Sequence, residues 1–334
     1  MDKPKIGDYH DKLPKLTMKE PYTRTRFLSK QARGALDLFR PFTLLAPFIV
    51  SMSIMVASLV YHFKIDPIKY PIQSDWWIII GQAGFTIALI NAASNALNQA
   101  TDVKSDKISK PYRPIPRGVF KAESAQSLAY ILYLFALLRA VTINVWFGVF
   151  VFLIMVFTVT YSLPPRLKKY LFINQVWIAI PRGMLGILAS WSVFGYNAMF
   201  GDPTPWVIGT MATTFLIGGM ATKDIVDSEA DRATGTRTMI NTYGVKKTAL
   251  VIFPFMFFPF AFVPIFYNQG LIAQYLWPLT LFVFLSLYII YLMIRSSESK
   301  TLENVHAWSI MYIEYIFFAL VFSMLTIFHD LLPI

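Results

Sequence analysis

Cysteine is absent from the 334-residue sequence. Its absence excludes disulfide bonds, thiolate catalysis and zinc sites with cysteine ligands. Charged residues make up only 15% of the chain, whereas about 25% is usual in soluble domains. Histidine is also scarce, and its four residues are scattered without the spacing of a metal-binding pair: His10, His62, His306 and His329. These scarcities argue against a soluble enzyme that depends on thiols or zinc.

Hydrophobic residues, in contrast, make up 56% of the chain. Apolar runs of about 20 residues, the length that spans a bilayer as a helix, recur along it. We predict nine transmembrane helices, at 43–62, 76–98, 124–142, 144–162, 172–195, 204–222, 248–267, 273–294 and 306–328. Only the connections at 99–123 and 223–247 are long, and they hold most of the interior acidic residues. The sequence therefore predicts an all-α membrane protein with a single transmembrane domain over 36–334.

The first 35 residues are polar and charged. A cleavable signal peptide would place an apolar stretch and a small-residue cleavage site there. We interpret residues 1–35 as a polar cytosolic tail, and we expect a surface helix near 27–39.

The net charge of +11 is distributed unevenly about the predicted membrane. All but four of the 30 Lys and Arg residues lie in the tail or in loops on the same side, and the exceptions are Lys64, Lys69, Arg139 and Arg182. Because Lys and Arg are enriched in cytoplasmic loops, we expect the N-terminus in the cytosol. This placement indicates a membrane surface and an anionic ligand, and not nucleic acid.

Polar residues recur at helical spacing where the second predicted span ends. They lie three or four residues apart and are Asn91, Asn95, Asn98, Asp102 and Asp106. This spacing places them on one face of a helix that rises from the membrane interior to its surface. Since polar side chains within a span normally face the protein interior, we expect this face to line a cavity open to the cytosol.

The second long loop carries a similar acidic face, formed by Asp224, Asp227 and Asp231, whereas Glu229 falls on another face and is expected to be solvated. In proteins Mg²⁺ is usually held by one or two carboxylates together with substrate phosphate oxygens. Two facing acidic groups, with Lys and Arg nearby as phosphate donors, therefore predict a site for Mg²⁺ and a diphosphate. The alternative is that each group only solvates a helix end, which the presence of two groups on one side disfavours.

Three segments resemble signatures of the UbiA superfamily of intramembrane prenyltransferases. The first has the pattern NxxxDxxxD at 98–106 and continues into KPYRPIPRG at 110–118. The second is YSLPPRLK at 161–168, and the third combines DxxDxxxD with GTRT over 224–238. Family members often have Asp directly after the first Asn, where this sequence has Gln99. The PYRPIP stretch is most similar to the archaeal digeranylgeranylglyceryl phosphate synthase and chlorophyll synthase branches.

The resemblance implies nine helices around a central cavity, with the acidic motifs at its cytosolic end. It also implies Mg²⁺-dependent transfer of an isoprenyl group from its diphosphate to a lipophilic acceptor. The residues that would bind Mg²⁺ and act in catalysis are Asp102, Asp106, Asp227 and Asp231. Those that would bind the diphosphate are Asn98, Arg113, Tyr161, Lys168 and Asp224.

Two charged residues are predicted inside spans. Arg182 lies about ten residues into the fifth span, roughly 15 Å deep, and Glu314 lies at a similar depth in the last span. A charge at this depth is costly and is usually functional. Either the two residues neutralise each other as a structural ion pair, or Arg182 binds an anionic group of the acceptor.

The sequence leaves the acceptor and one different function open. The favoured acceptor is a geranylgeranylglyceryl phosphate ether lipid of the archaeal type, and the alternatives are a chlorophyllide-like tetrapyrrole and an aromatic quinone precursor. A secondary transporter is the hypothesis of another class, although transporter sites tend to lie near the bilayer midplane. We expect a multi-pass protein of a prokaryotic cell membrane, with Mg²⁺ as cofactor and an active site that faces the cytosol.

Overall fold

The computed structural model describes residues 29–296 and 306–331. Within these ranges every regular element is helical, so the all-α prediction is confirmed. The helices are α1 (Lys30–Phe39), α2 (Pro41–Ile65), α3 (Trp76–Thr101), α4 (Val103–Ser109), α5 (Ala122–Ile143), α6 (Val145–Ser162), α7 (Ile173–Gly195), α8 (Thr204–Gly219), α9 (Asp224–Ala233), α10 (Met239–Ala261), α11 (Val263–Asn268), α12 (Phe282–Ser296) and α13 (His306–Phe328). Short 3₁₀ segments occur at Leu167–Lys169, Met220–Lys223, Gln274–Leu281 and His329–Leu331.

Helix α1 is a short helix tied to the bundle at its C-terminal end. It begins at a serine cap, since the Ser29 side chain accepts a hydrogen bond from the Ala32 N–H at 3.1 Å. It ends at Arg40, whose positive φ of 56° stops the helix. The Gln99 side chain of α3 donates to the Leu38 carbonyl at 2.7 Å. Gln99 therefore faces α1, away from the acidic motif that it interrupts in sequence.

The surface helix predicted near 27–39 corresponds to α1. Leu36 is exposed and Leu38 is buried, as expected for a helix that lies on a surface with one apolar face covered. Most of the predicted polar tail, residues 1–28, lies outside the described residues.

The bundle packs around α2, α7 and α13. Helix α2 contacts α3, the second half of α7, and α13. Trp191 of α7 and Phe322 of α13 are fully buried and lie with ring centroids 6.1 Å apart. Gly195 permits the closest approach between α7 and α2, because a Cβ at this position would lie 2.1 Å from the ring of His62. Small residues of this kind let helices pack closely in a membrane protein.

Seven of the described helical segments are long and apolar enough to cross a membrane, with the 3₁₀ segment Gln274–Leu281 and α12 counted as one, so the predicted count of nine is not confirmed. The predicted span 204–222 corresponds to α8, which has 16 residues and is about 24 Å long, shorter than a hydrocarbon core of about 30 Å. The predicted span 248–267 corresponds to α10 and α11. Helix α10 is kinked at Gly244, where φ is 79°, and two lysines, Lys246 and Lys247, follow the kink.

Helix α7 changes its hydrogen-bonding pattern where Arg182 lies. The proline at position 181 has no N–H to donate to the preceding turn, and residues Pro181–Leu185 form a π-helical turn. Such turns are rare and occur frequently at functional sites. The Tyr315 hydroxyl of α13 donates to the Arg182 carbonyl at 2.7 Å and holds this turn against the last helix.

Candidate active site

A cavity of about 840 Å³ opens between the helices, and all ten residues selected from the sequence line it. They are Asn98, Asp102, Asp106, Arg113, Tyr161, Lys168, Arg182, Asp224, Asp227 and Asp231. Asn91 and Asn95 line it as well, so the polar face predicted for the second span does face a cavity. Two levels can be distinguished, a charged upper part formed by both Asp motifs and a lower part between the long helices.

The first Asp motif lies at the junction of α3 and α4. Helix α3 ends at Thr101, Asp102 occupies the junction, and its N–H still bonds the Asn98 carbonyl at 3.0 Å. The Asp106 N–H bonds the Asp102 carbonyl at 2.8 Å, so the helical spacing continues through the junction. Asp106 is 3% exposed, whereas Asp102 is half-buried.

The second Asp motif lies on α9, which follows the 3₁₀ segment at the end of α8. Asp224, Asp227 and Asp231 all face the cavity, since their spacing of three and four residues places them on one side of the helix. Glu229 is exposed, as predicted. Asp224 is the most buried of the three, with 2% of its surface exposed.

Cationic side chains neutralise the first motif. Lys168 Nζ lies 2.5 Å from Asp102 Oδ1, and Arg166 Nη2 lies 3.1 Å from the same oxygen. Arg113 Nη1 lies 2.9 Å from both oxygens of Asp106. These cations come from the 110–118 and 161–168 segments, so the loops that follow α4 and α6 contribute to one charged layer.

The second motif is paired in the same way, except at its last residue. Lys110 bonds Asp227, and Lys223 bonds Asp224. Within residues 29–296 and 306–331, the ion pairs found do not include Asp231.

The pKa values of these carboxyl groups reflect their different surroundings. Burial, together with the neighbouring carboxylates of Asp224 and Asp227, raises the pKa of Asp231 to about 8. Burial would also raise the pKa of Asp227, but the ammonium of Lys110, together with Arg113 and Lys223, outweighs burial and holds that pKa below its ordinary value. For Asp106 burial dominates over Arg113 and raises the pKa. A further positive charge nearby would therefore favour ionisation of Asp231.

Three cations of this layer were not singled out from the sequence: Lys110, Arg166 and Lys223. Each lies inside or directly beside a signature segment. Their positions in or beside those segments could have identified them. From the sequence alone, however, they could not be distinguished from the other basic residues on the same side of the membrane.

The lower part of the cavity is lined by aromatic side chains, which are Phe157, Trp177, Trp308, Tyr312 and Tyr315. Trp308 and Tyr312 stack with ring centroids 5.4 Å apart, and Phe157 and Trp177 lie 4.4 Å apart. This part therefore offers ring faces beside the side chains of Asn91, Asn95 and Arg182, whereas the layer above it consists mainly of paired charges.

Arg182 and Glu314 do not form an ion pair, so the structural-pair hypothesis is wrong. Glu314 Oε1 is bonded to Ser286 Oγ of α12 at 2.8 Å, and the side chain is fully buried away from the cavity lining. Arg182 lines the cavity, and the ion pairs of the described ranges do not include it. A guanidinium without a carboxylate partner in the lower cavity is suited to an anionic ligand.

Within the described part of the chain, no three Asp, Glu or His side chains converge closely enough to hold a metal ion by themselves. Mg²⁺ does not require such a cage, since it is commonly held by one or two carboxylates, water and substrate phosphate oxygens. Asp231 lies outside the ion pairs of the described ranges, and burial together with its acidic neighbours raises its pKa. It can supply such a carboxylate once the charge of a metal ion favours its ionised form. The donor set therefore fits Mg²⁺ that arrives with a diphosphate.

A family model described as the UbiA prenyltransferase family matches residues 68–321. The chain belongs to the UbiA prenyltransferase family. Among curated proteins, this UbiA prenyltransferase is 26% identical over 213 residues to a digeranylgeranylglyceryl phosphate synthase of Sulfurisphaera tokodaii, covering 61% of this chain and 73% of the relative. It is 28% identical over 242 residues to a probable homogentisate phytyltransferase 2 of Oryza sativa, covering 69% and 61%.

Solved structures share its fold. One reported for digeranylgeranylglyceryl phosphate synthase has a TM-score of 0.63 and 20% identity, and the alignment covers 89% of this chain and 99% of that one. A UbiA homologue from Archaeoglobus fulgidus, bound to GPP and Mg²⁺, has a TM-score of 0.63 and 17% identity, with 88% and 99% covered. The UbiA prenyltransferase described here is therefore a membrane-bound enzyme with an established fold, and the transporter hypothesis is set aside.

Proposed function

We propose that this enzyme transfers an isoprenyl group from its diphosphate to a hydroxyl group of a glyceryl phosphate ether lipid, with Mg²⁺ as cofactor. The observation that carries the proposal is the two-level cavity, with a charged layer above and Arg182 below among aromatic rings. Several archaeal relatives named digeranylgeranylglyceryl phosphate synthase support it. The homologue bound to GPP and Mg²⁺ supports the donor and the metal.

The charged layer is the donor site in this proposal. The residues that hold Mg²⁺ are Asp102, Asp106, Asp227 and Asp231, and those that contact the diphosphate are Asn98, Arg113, Tyr161, Lys168 and Asp224. When bound, Mg²⁺ supplies Lewis acidity that stabilises the leaving diphosphate. The lysine and arginine side chains add charge-assisted hydrogen bonds to the same oxygens. Together they favour cleavage of the allylic C–O bond.

The lower cavity protects the allylic cation that this cleavage leaves. Water would capture such a cation, so the aromatic lining excludes it from the reacting carbon. The faces of Trp177, Trp308 and Tyr312 carry negative quadrupole charge that stabilises a cation. The apolar walls between the helices accommodate the hydrocarbon tail of the donor.

Arg182 orients the acceptor in this proposal. A glyceryl phosphate brings a negative charge into a region of low dielectric, where an unpaired charge is expensive. The Arg182 guanidinium offsets this cost with hydrogen bonds to the phosphate oxygens. The acceptor hydroxyl is then held between Arg182 and the donor site, where its oxygen bonds to the allylic carbon and its proton passes to the released diphosphate.

Two other acceptor classes, tetrapyrrole and aromatic, differ in the group that they would present to Arg182. A tetrapyrrole carboxylate would also pair with Arg182, and the Oryza sativa relative supports an aromatic acceptor. A neutral ring would leave Arg182 without a counter-anion, whereas homogentisate, the acceptor in the name of that relative, carries a carboxylate. The number of archaeal relatives with glyceryl phosphate names favours the phosphate over both.

We also propose nine membrane crossings, a cytosolic N-terminus and a donor site that faces the cytosol of a prokaryotic cell. The clustering of Lys and Arg supports this orientation. Helices α8 and α10 would be the two additional crossings. The two helices pack against each other within the bundle.

Purified enzyme in detergent, supplied with geranylgeranyl diphosphate and an acceptor panel, tests the proposal. We expect diphosphate release that depends on geranylgeranylglyceryl phosphate, and an ether product identified by mass spectrometry. Release that depends on a tetrapyrrole or an aromatic acceptor, and not on the phosphate lipid, would contradict the acceptor assignment.

A further inference from the structure

Lys110 connects the two Asp motifs. It follows the last turn of α4, and its N–H bonds the Asp106 carbonyl at 2.8 Å. Its ammonium bonds Asp227 on α9, 117 residues away. The Lys110 side chain is 9% exposed and that of Asp227 is 25% exposed. A lysine that follows the first Asp motif therefore forms an ion pair with a carboxylate of the second Asp motif.

This contact conflicts with a metal role for Asp227. A metal ion that bound to Asp227 without a diphosphate would lie beside the Lys110 ammonium, which is bonded to the same carboxylate. The two positive charges would repel each other strongly, because little solvent screens them. Asp227 becomes available to a metal only if Lys110 moves to another anion.

A diphosphate supplies that anion. Lysine carries its charge on a flexible four-carbon chain with three rotatable donors, so its ammonium can change partners without backbone movement. Arg113 is less suited to an exchange, because it contacts both oxygens of Asp106 and both side chains are almost fully buried. Lys168 shares Asp102 with Arg166, so its departure would leave that carboxylate still paired.

We propose that Lys110 is an exchangeable counter-ion, which neutralises Asp227 in the empty enzyme and transfers to the diphosphate when metal and donor bind together. The inference rests on the donor site proposed above. It predicts that metal and diphosphate bind with strong positive coupling, since each removes the obstacle to the other. An empty site without substrate would then retain little Mg²⁺.

The test compares Lys110→Met with Lys107→Met in the full-length enzyme in detergent. Lys107 is a matched control, since it is an exposed lysine of α4, three residues before Lys110 and outside the cavity lining. Binding of Mn²⁺ alone is measured by electron paramagnetic resonance of the free ion. Binding of inorganic pyrophosphate is measured by calorimetry with and without Mg²⁺.

We expect Lys110→Met to bind Mn²⁺ alone about tenfold more tightly than the wild type, because a repelling cation is gone. It should bind pyrophosphate with Mg²⁺ about tenfold more weakly, because one charge-assisted hydrogen bond is lost. The Lys107→Met variant should match the wild type in both. Adding Asp227→Asn to Lys110→Met should abolish the gain in Mn²⁺ affinity. Should Lys110→Met unfold in detergent, Lys110→Gln carries the same two expectations.

Weaker or unchanged binding of Mn²⁺ alone in both Lys110 variants would overturn the exchange. So would a pyrophosphate affinity that stays at the wild-type value. If the proposed donor site is wrong, the wild type itself would not bind pyrophosphate in the presence of Mg²⁺, which distinguishes that outcome from a failure of the exchange.

Discussion

Replacing Arg182 with leucine tests the assignment of an anionic acceptor. The side chain lines the lower cavity, and its backbone is held by the hydrogen bond from Tyr315 to its carbonyl, which the substitution leaves intact. A hydrogen bond to a charged group contributes about 1.5–3 kcal/mol. Since each 1.4 kcal/mol is tenfold in affinity, the acceptor KM should rise about 10- to 150-fold.

The same substitution should not destabilise the protein. Arg182 is a charge at membrane depth outside the ion pairs of the described ranges, and removing such a charge lowers a desolvation cost. We expect the Tm in detergent to stay constant or to increase. The KM for the isoprenyl diphosphate should change little, because the charged layer above Arg182 binds the diphosphate.

The assay is the initial rate of diphosphate release at saturating geranylgeranyl diphosphate, with the phosphate lipid varied. Glu314→Gln is the control, because Glu314 bonds Ser286 and lies outside the cavity lining. It should leave the acceptor KM at the wild-type value. An unchanged acceptor KM in Arg182→Leu would refute the acceptor role and leave the phosphate assignment to similarity alone.

Three further predictions concern the metal, the packing and the titration of the site. Mg²⁺ or Mn²⁺ should support turnover and Ca²⁺ should support it poorly, because Ca²⁺ prefers more ligands at longer distances; full activity in excess EDTA would contradict this. Gly183→Ala should lower stability by about 1–3 kcal/mol, since its Cβ would lie 2.6 Å from the Thr213 backbone, and it should raise the acceptor KM by displacing Arg182; an unchanged Tm would contradict the packing. The folded-state pKa of Asp231 is about 8, above the unfolded value of about 3.9, so the folded state binds more protons and the Tm in EDTA should fall between pH 4 and 8. Asp231→Asn should make the Tm depend less steeply on pH in this range, and an unchanged dependence would show that Asp231 does not titrate between pH 4 and 8.

The parts of the site that depend on local spacing were predictable from the sequence. Asn98, Asp102 and Asp106 follow one helical face, and so do Asp224 and Asp227, because a helix repeats every 3.6 residues whatever its surroundings. Motif resemblance then placed both faces in one cavity. The short surface helix was also predictable, since its amphipathic pattern lies within ten residues, Lys30–Phe39.

Features that depend on distant contacts were not predictable in this way. The partner of Asp227 is Lys110, 117 residues away, and nothing in either local pattern selects this lysine over its neighbours. The depth of Glu314 matched that of Arg182, but depth says nothing about which direction a side chain points around its helix. Glu314 points to Ser286 of α12 instead.

The predicted spans and the observed helices differ for a physical reason as well. Hydropathy averages over a window and does not register where a helix ends. Helix α8 stops after 16 residues at Gly219, and the run at 248–267 is divided between α10, which ends at Ala261, and α11, which begins at Val263. Both predicted spans are apolar throughout, but one contains a helix that is shorter than the span and the other contains two helices.

The most direct test of the central claim is the product formed from geranylgeranyl diphosphate and geranylgeranylglyceryl phosphate, measured by mass spectrometry for the wild type and for Asp227→Asn. We expect one ether product per diphosphate released in the wild type, only when Mg²⁺ is present. Asp227→Asn should remain folded and lose at least about 90% of the rate, or more than about 1.4 kcal/mol of transition-state stabilisation. An Asp227→Asn enzyme that retains more than this, or a wild type that forms no ether lipid while prenylating another acceptor, would contradict the account.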